Sequence, residues 1–112
     1  MVDAEDEVTA GWLMKKGEGV LAGYKRRYVV LDNGVMSYYK SIDDYESGQP
    51  PLKGNRIKIQ DYTCKAVATE TSQFQLCPNS ATAGGRVWDF KTSSKQTRDA
   101  WVEAFHNEGA QK

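Results

Sequence analysis

The segment at residues 11–31, GWLMKKGEGVLAGYKRRYVVL, restricts the fold more than any other part of this chain. It reads as two strands joined by the loop GEGVLAG at residues 17–23. In a strand, side chains at i, i+2 and i+4 share a face. Leu13 and Lys15 therefore point the same way, as do Lys25, Arg27, Val29 and Leu31. On both strands a basic end continues into an apolar end without changing sides. Such a hairpin fits the wall of a sheet with a greasy interior and a charged mouth. Trp12 is out of phase and is expected to pack against a neighbouring element outside that mouth.

Charge sharpens the reading. Residues 15–27 carry Lys15, Lys16, Lys25, Arg26 and Arg27 against Glu18, a net +4 in a chain whose formal net charge is zero. The other 99 residues therefore sum to −4. Cations that converge on one concave mouth repel one another unless an anion sits among them. The shared face thus favours an anion site over a merely solvated basic hairpin.

Composition narrows the class. The 112 residues make one domain, with 39% hydrophobic content, and no apolar run approaches the ~20 residues of a membrane span. The opening MVDAEDEVT is acidic, unlike a signal peptide, and residues 1–9 read as a disordered leader. Cys64 and Cys77 form no C-x-x-C, and His106 is the single histidine. The simplest reading is two buried, reduced thiols and neither metal nor cofactor. No nucleophile–base pair, metal set or paired acids suggests an enzyme. Tyr24, Tyr28 and Tyr38 lie among the cations, but a net charge of zero argues against nucleic acid.

The remaining chain reads as an antiparallel sheet followed by a helix. Asn33-Gly34 is a two-residue hairpin turn. It leads to a third strand at 35–41, in which Met36, Tyr38 and Lys40 share a face. Residues 42–51, with their acids and Pro50-Pro51, read as a loop. A fourth strand follows, with Ile57 and Ile59 alternating with polar residues, then strands at 62–68, 72–77 and 86–92. Trp88 and Phe90 are expected to face inward, and PNSATAGG at 78–85 reads as a loop. Residues 93–107 read as a helix, opened by a Ser93–Gln96 capping box and stopped at Gly109. Trp101 and Phe105, one turn apart, form its structural face, and His106 reads as a surface residue.

G-W-L-x-K, a short loop, and then Y-K-x-R-Y-x-V-L resemble the opening hairpin of a pleckstrin-homology (PH) domain, and Trp101 in the last helix is the family's second mark. The resemblance covers residues 10–108, leaving 109–112 as a tail. It implies a mainly β fold with one helix: a seven-stranded, partly open antiparallel barrel of two near-orthogonal sheets, capped by a C-terminal α-helix. DNGVMSYYKS at 32–41 is similar to the lipid-transfer and Golgi-adaptor group, which includes oxysterol-binding-protein and ceramide-transfer-protein types.

The family's basic motif, K-x(n)-[KR]-x-R, matches Lys15, Lys25 and Arg27. The resemblance adds Tyr38 at the mouth, and Lys53, a basic residue just before a glycine, as phosphoinositide contacts. Lys16, Val20, Leu21 and Arg26 are expected to meet the membrane surface. The apolar loop tip, Val20 and Leu21, suits either insertion among headgroups or folding back on the barrel. The function implied is a monomeric, phosphoinositide-binding membrane-targeting module. It would be cytoplasmic and peripheral on Golgi, endosomal or plasma membrane, with phosphatidylinositol 4-phosphate (PI4P) favoured. The hairpin loop lacks that group's aromatic and polar tip, and residues 25–27 are more charged. The alternative is a protein-interaction module with weak, nonspecific lipid binding.

Overall fold

The structure, a computed structural model, describes residues 8–19, 21–79 and 85–112. The acidic leader through residue 7, Val20 and residues 80–84 of the expected 78–85 loop lie outside the described residues.

Seven strands form one antiparallel sheet: β1 Thr9–Lys16, β2 Tyr24–Asp32, β3 Val35–Tyr39, β4 Ile57–Lys58, β5 Tyr62–Ala66, β6 Gln73–Pro78 and β7 Trp88–Lys91. Their order is β4-β3-β2-β1-β7-β6-β5. The first and last members of that order do not pair, so the barrel is partly open. β1 is shared between the halves. It pairs with β2 from Thr9↔Leu31 to Lys16↔Tyr24, but with β7 only at Met14↔Lys91 and Lys15↔Phe90.

The period of two decides the core. Leu13, Val29, Leu31, Met36, Phe74, Leu76, Trp88 and Phe90 are all buried on the inner face. The helix α2, Lys95–Asn107, lays Trp101 and Phe105 on that core. Phe105 meets Phe74 and Phe90 at ring-centroid distances of 5.8 and 6.2 Å. A Cβ on Gly11 would come within 3.1 Å of the Trp101 ring, so the bare backbone there lets β1 approach the indole. No helix among the described residues is long and apolar enough to cross a membrane.

Several local expectations shift. The helix is capped by Ser94, one residue later than expected, and its hydroxyl accepts from the Thr97 amide at 3.1 Å. The 42–51 stretch holds a short helix, α1 Ile42–Glu46, capped by Ser41 and opened by Asp43 and Asp44. The same cap ends β3 at Tyr39 rather than at 41. β4 is only two residues long, because a 3₁₀ turn at Ile59–Asp61 swings Ile59 into the core.

The tail is tied down: the Gln111 amide donates to Tyr62 O, and the Cys64 amide donates to Gln111 O. His106 is half-buried rather than a free surface group, with Nε2 2.8 Å from Cys64 O. Arg98, which the sequence reading passed over, is buried and donates from Nη1 to the carbonyls of Glu70 and Gln73. It fastens α2 to the β5–β6 turn.

Candidate functional site: a basic cavity at the β1–β2 mouth

Where β1 and β2 run into their connecting loop, a cavity of about 450 Å³ opens. That is within the range of small-ligand sites. β1 contributes Lys15, and β2 contributes Lys25 and Arg27. Tyr38 enters from β3, Lys40 from just past its end, and Lys53 from the turn after α1. All five residues expected at a headgroup site therefore line one cavity. Lys40 was missed, although its two-residue spacing from Tyr38 places it on the same wall. Glu18 is the one acid in the lining among the described residues.

Lys15 is the most buried of the cations in this lining. It is only 7% exposed. Its Nζ lies 4.7 Å from the centroid of Tyr38 and 5.0 Å from that of Trp88, and it donates to the Lys16 carbonyl at 3.3 Å. The ring faces and the carbonyl replace part of the lost hydration. They do not replace all of it. Burial, followed by the charges of Arg86, Lys53 and Arg27, pulls the ammonium down to about 8. A lysine held in this way is relieved by an arriving anion.

The other wall is built by hydrogen bonding. Asn55 Nδ2 donates to the Tyr38 hydroxyl at 2.8 Å, which orients the phenol at the cavity edge. Asn55 follows a tight turn in which Lys53 and Gly54 both have positive φ, 56° and 65°. The Gly54 and Asn55 amides close that turn on Pro51 and Leu52. A left-handed lysine is uncommon and costly. Here it holds an exposed amine at the rim. Arg27 Nη1 is anchored on the Arg26 carbonyl at 2.9 Å, which steadies the guanidinium fork.

Across the loop, Glu18 Oε1 meets Arg86 Nη1 at 3.0 Å and Lys53 Nζ at 3.7 Å. The Arg86 guanidinium stacks 3.9 Å above the Trp88 ring. Its hydrogen bond and charge hold the Glu18 carboxyl below its usual range, with Lys53 adding to the effect. Arg86 was not anticipated; its spacing of two from Trp88 was the available signal.

The expected membrane contacts are less uniform. Leu21 stands 98% exposed at the loop tip, so it does not fold back on the barrel. Val20 lies outside the described residues. Arg26 is exposed on the outer sheet face, with its guanidinium 4.0 Å above Trp12, which in turn meets Tyr28 edge-on. Trp12 thus packs outside the mouth, as its phase predicts. Lys16 lines a separate groove with Arg86 and Asp89.

The two cysteines are free. Cys64 is buried, which pushes its thiol up to about 12, whereas Cys77 is half-buried, not buried as expected. Among the described residues no group of acids, cysteines and histidine could hold a metal ion.

The comparisons with known proteins agree with this architecture. The family model for the PH domain matches residues 8–109. Mouse oxysterol-binding protein 2 is 30% identical over 95 residues, covering 85% of this chain and 9% of that protein. Mouse ceramide transfer protein is 30% identical over 93 residues, covering 83% of this chain and 14% of that protein. The chain thus corresponds to a small part of these relatives. Among solved structures, the PH domain of human oxysterol-binding protein-related protein 11 superposes with a TM-score of 0.73 at 20% identity, covering 92% of this chain and 80% of that one. The Slm1 PH domain, solved with inositol-4-phosphate, gives 0.72 at 19% identity, covering 91% and 95%. A partly open seven-stranded sheet with a basic cavity at its first hairpin, a capping helix built on Trp101 and a family match along nearly the whole length lead to one conclusion: this chain belongs to the PH-domain family of non-catalytic binding modules.

Proposed function

We propose that the mouth holds a phosphoinositide headgroup and so docks the domain on an anionic membrane, with PI4P preferred over more highly phosphorylated lipids. The observation that carries this is the buried, electrostatically strained Lys15 at the floor of a cavity that also receives Lys25, Arg27, Lys40 and Lys53. An ammonium is retained in such a place at a cost to stability, and an anion offsets that cost. Arg27 can fork two hydrogen bonds to one phosphate, and Lys25 and Lys53 act as mobile charges. The Tyr38 hydroxyl, already accepting from Asn55, is free to donate its proton to the ligand.

Support for the monophosphate comes from the likeness of residues 32–41 to the lipid-transfer group. Leu21 then faces the lipid. Full burial of a leucine side chain is worth ~1.5–3 kcal/mol, enough to lengthen residence but not to anchor alone. A Golgi, endosomal or plasma-membrane surface would serve.

The test is co-sedimentation with liposomes that each carry one phosphoinositide, using wild type and a folded Lys15→Ala/Arg27→Ala variant. Binding that peaks with PI4P and is lost in the variant is the expected result. Equal weak binding to every anionic liposome would reduce the site to an electrostatic patch. A second reading, a protein-interaction module, draws on the outer face, where Trp12, Tyr28 and Tyr45 form a row of rings beside Arg26. A partner held there should tolerate Arg27→Glu, whereas headgroup binding should not.

A further inference from the structure

We propose that Glu18 is an internal competitor for the headgroup, which selects ligands by how many phosphates they bring to the Lys53 and Arg86 side of the mouth. The inference rests on the headgroup reading above and adds a device that sets its selectivity.

The cations around the mouth fall into two sets. Lys25 and Arg27 of β2, and Lys40 just past β3, line the cavity on one side. Lys53, which also lines the cavity, and Arg86 converge on one carboxylate oxygen, Glu18 Oε1, at 3.7 and 3.0 Å. That carboxylate borders both the main cavity and the neighbouring groove that holds Arg86, so it stands on the ridge between them. It already plays the part of an anionic ligand.

Arg86 is built to take another one. Its guanidinium is fixed by stacking on Trp88, and its Nε is buried with no hydrogen-bond partner among the described residues. A fixed guanidinium whose Nη1 is released when Glu18 leaves is a ready donor to a second phosphate. Lys15 senses the same balance. Arg86 and Lys53 push its proton off, and Glu18 pulls it back.

A single phosphate on the β2 side meets Lys25, Arg27 and Lys15 and leaves the Glu18 pairs intact. A headgroup with further phosphates must either displace Glu18 from both cations or lie against its charge. Glu18 is 62% exposed and sits between Gly17 and Gly19, so it can leave without disturbing the core. Its penalty therefore falls mainly on polyphosphorylated ligands.

The experiment measures the affinities of water-soluble short-chain PI4P, phosphatidylinositol 4,5-bisphosphate and phosphatidylinositol 3,4,5-trisphosphate for four proteins. These are wild type, Glu18→Gln, Arg86→Gln and the double variant. Glu18→Gln keeps the side-chain shape and removes its charge. It should raise affinity for the bis- and trisphosphate about tenfold and for PI4P less than about threefold, the scale of two partly exposed ion pairs. Arg86→Gln should abolish most of the gain in the Glu18→Gln background. An equal gain for all three lipids, or none, or a gain that survives loss of Arg86, would overturn the role of Glu18 while leaving the headgroup site standing. Failure of both wild type and Glu18→Gln to bind any of the three would instead overturn the headgroup site, and the inference with it.

Discussion

The two ends of β1 do opposite work. At Gly11 the strand presses against Trp101, close to a cluster in which Phe74, Phe90 and Phe105 are fully buried against one another. Four residues later, about 13 Å along an extended strand, Lys15 occupies the same inner face with its charge out of water. β7 repeats the contrast: Phe90 faces the helix cluster and Trp88 faces Lys15. The helix end holds the sheet together by apolar burial. The mouth spends part of that stability to keep cations close together. A binding site of this kind is assembled against its own electrostatics, and the far end of the same strands makes it affordable.

The comparison breaks most directly at the helix end. Trp101→Ala should cost ~3–5 kcal/mol, a large fraction of a domain's usual margin. Thermal or urea unfolding would register the loss. A cost under ~1 kcal/mol would mean that the indole is not what clamps β1 to α2.

The mouth should respond in the other currency. Hydrogen bonds to charged groups are worth about 1.5–3 kcal/mol each. Lys25→Ala/Arg27→Ala should therefore lower headgroup affinity by about a hundredfold or more, while the unfolding midpoint stays close to wild type. A variant that lost stability and kept its affinity would reverse the roles assigned to the two ends.

The sequence displayed these ends unequally. Period-two alternation revealed the inner face of every long strand, because Leu13, Val29, Leu31, Trp88 and Phe90 have no competing pattern. It also placed Lys15, Lys25 and Arg27 on one wall, while helical spacing put Trp101 and Phe105 on one helix stripe. What it did not reveal depends on contacts between distant segments. Asn55 bonds Tyr38 only because a left-handed Lys53-Gly54 turn brings it back across the sheet. Arg86 reaches Glu18 from the far side of the loop, and Arg98 finds its acceptors at Glu70 and Gln73. The α1 helix was missed for a different reason. The Ser41 cap with Asp43 and Asp44 behind it is a helix-start signature, but so short an element carries no apolar period to confirm it.

A sharper version of the comparison asks one residue to move stability and affinity in opposite directions. Lys15→Met keeps an unbranched side chain against Tyr38 and Trp88 and removes the buried charge. It should raise stability by about 1–2 kcal/mol and weaken headgroup binding by about tenfold or more. Unfolding curves and titrations on the same preparation would show both. A fall in stability would mean that the ammonium is a favourable part of the fold, satisfied by the rings and the Lys16 carbonyl.

The smallest effect is a pH dependence, and its sign is fixed by Lys15. The groups facing its amine are Arg86, Lys53, Arg27 and Glu18, with the Tyr38 and Trp88 rings beside it. Its value of about 8 lies below the ordinary 10.5. An anion binds the protonated form better, so affinity should hold up to about pH 7 and fall about fourfold by pH 8.5, as the free domain loses that proton. Stability should move the other way. Between about 8 and 10.5 the unfolded chain holds the Lys15 proton and the folded one does not, so this residue's contribution to stability rises with pH. Cys64, pushed up to about 12, stays silent over the affinity range. Lys15→Met should flatten both profiles between pH 7 and 8.5. A wild-type affinity that does not change over that interval would show that the bound-state wall shields Lys15 less from water than its 7% exposure implies. The strain at the mouth would then belong to Arg86 and Lys53.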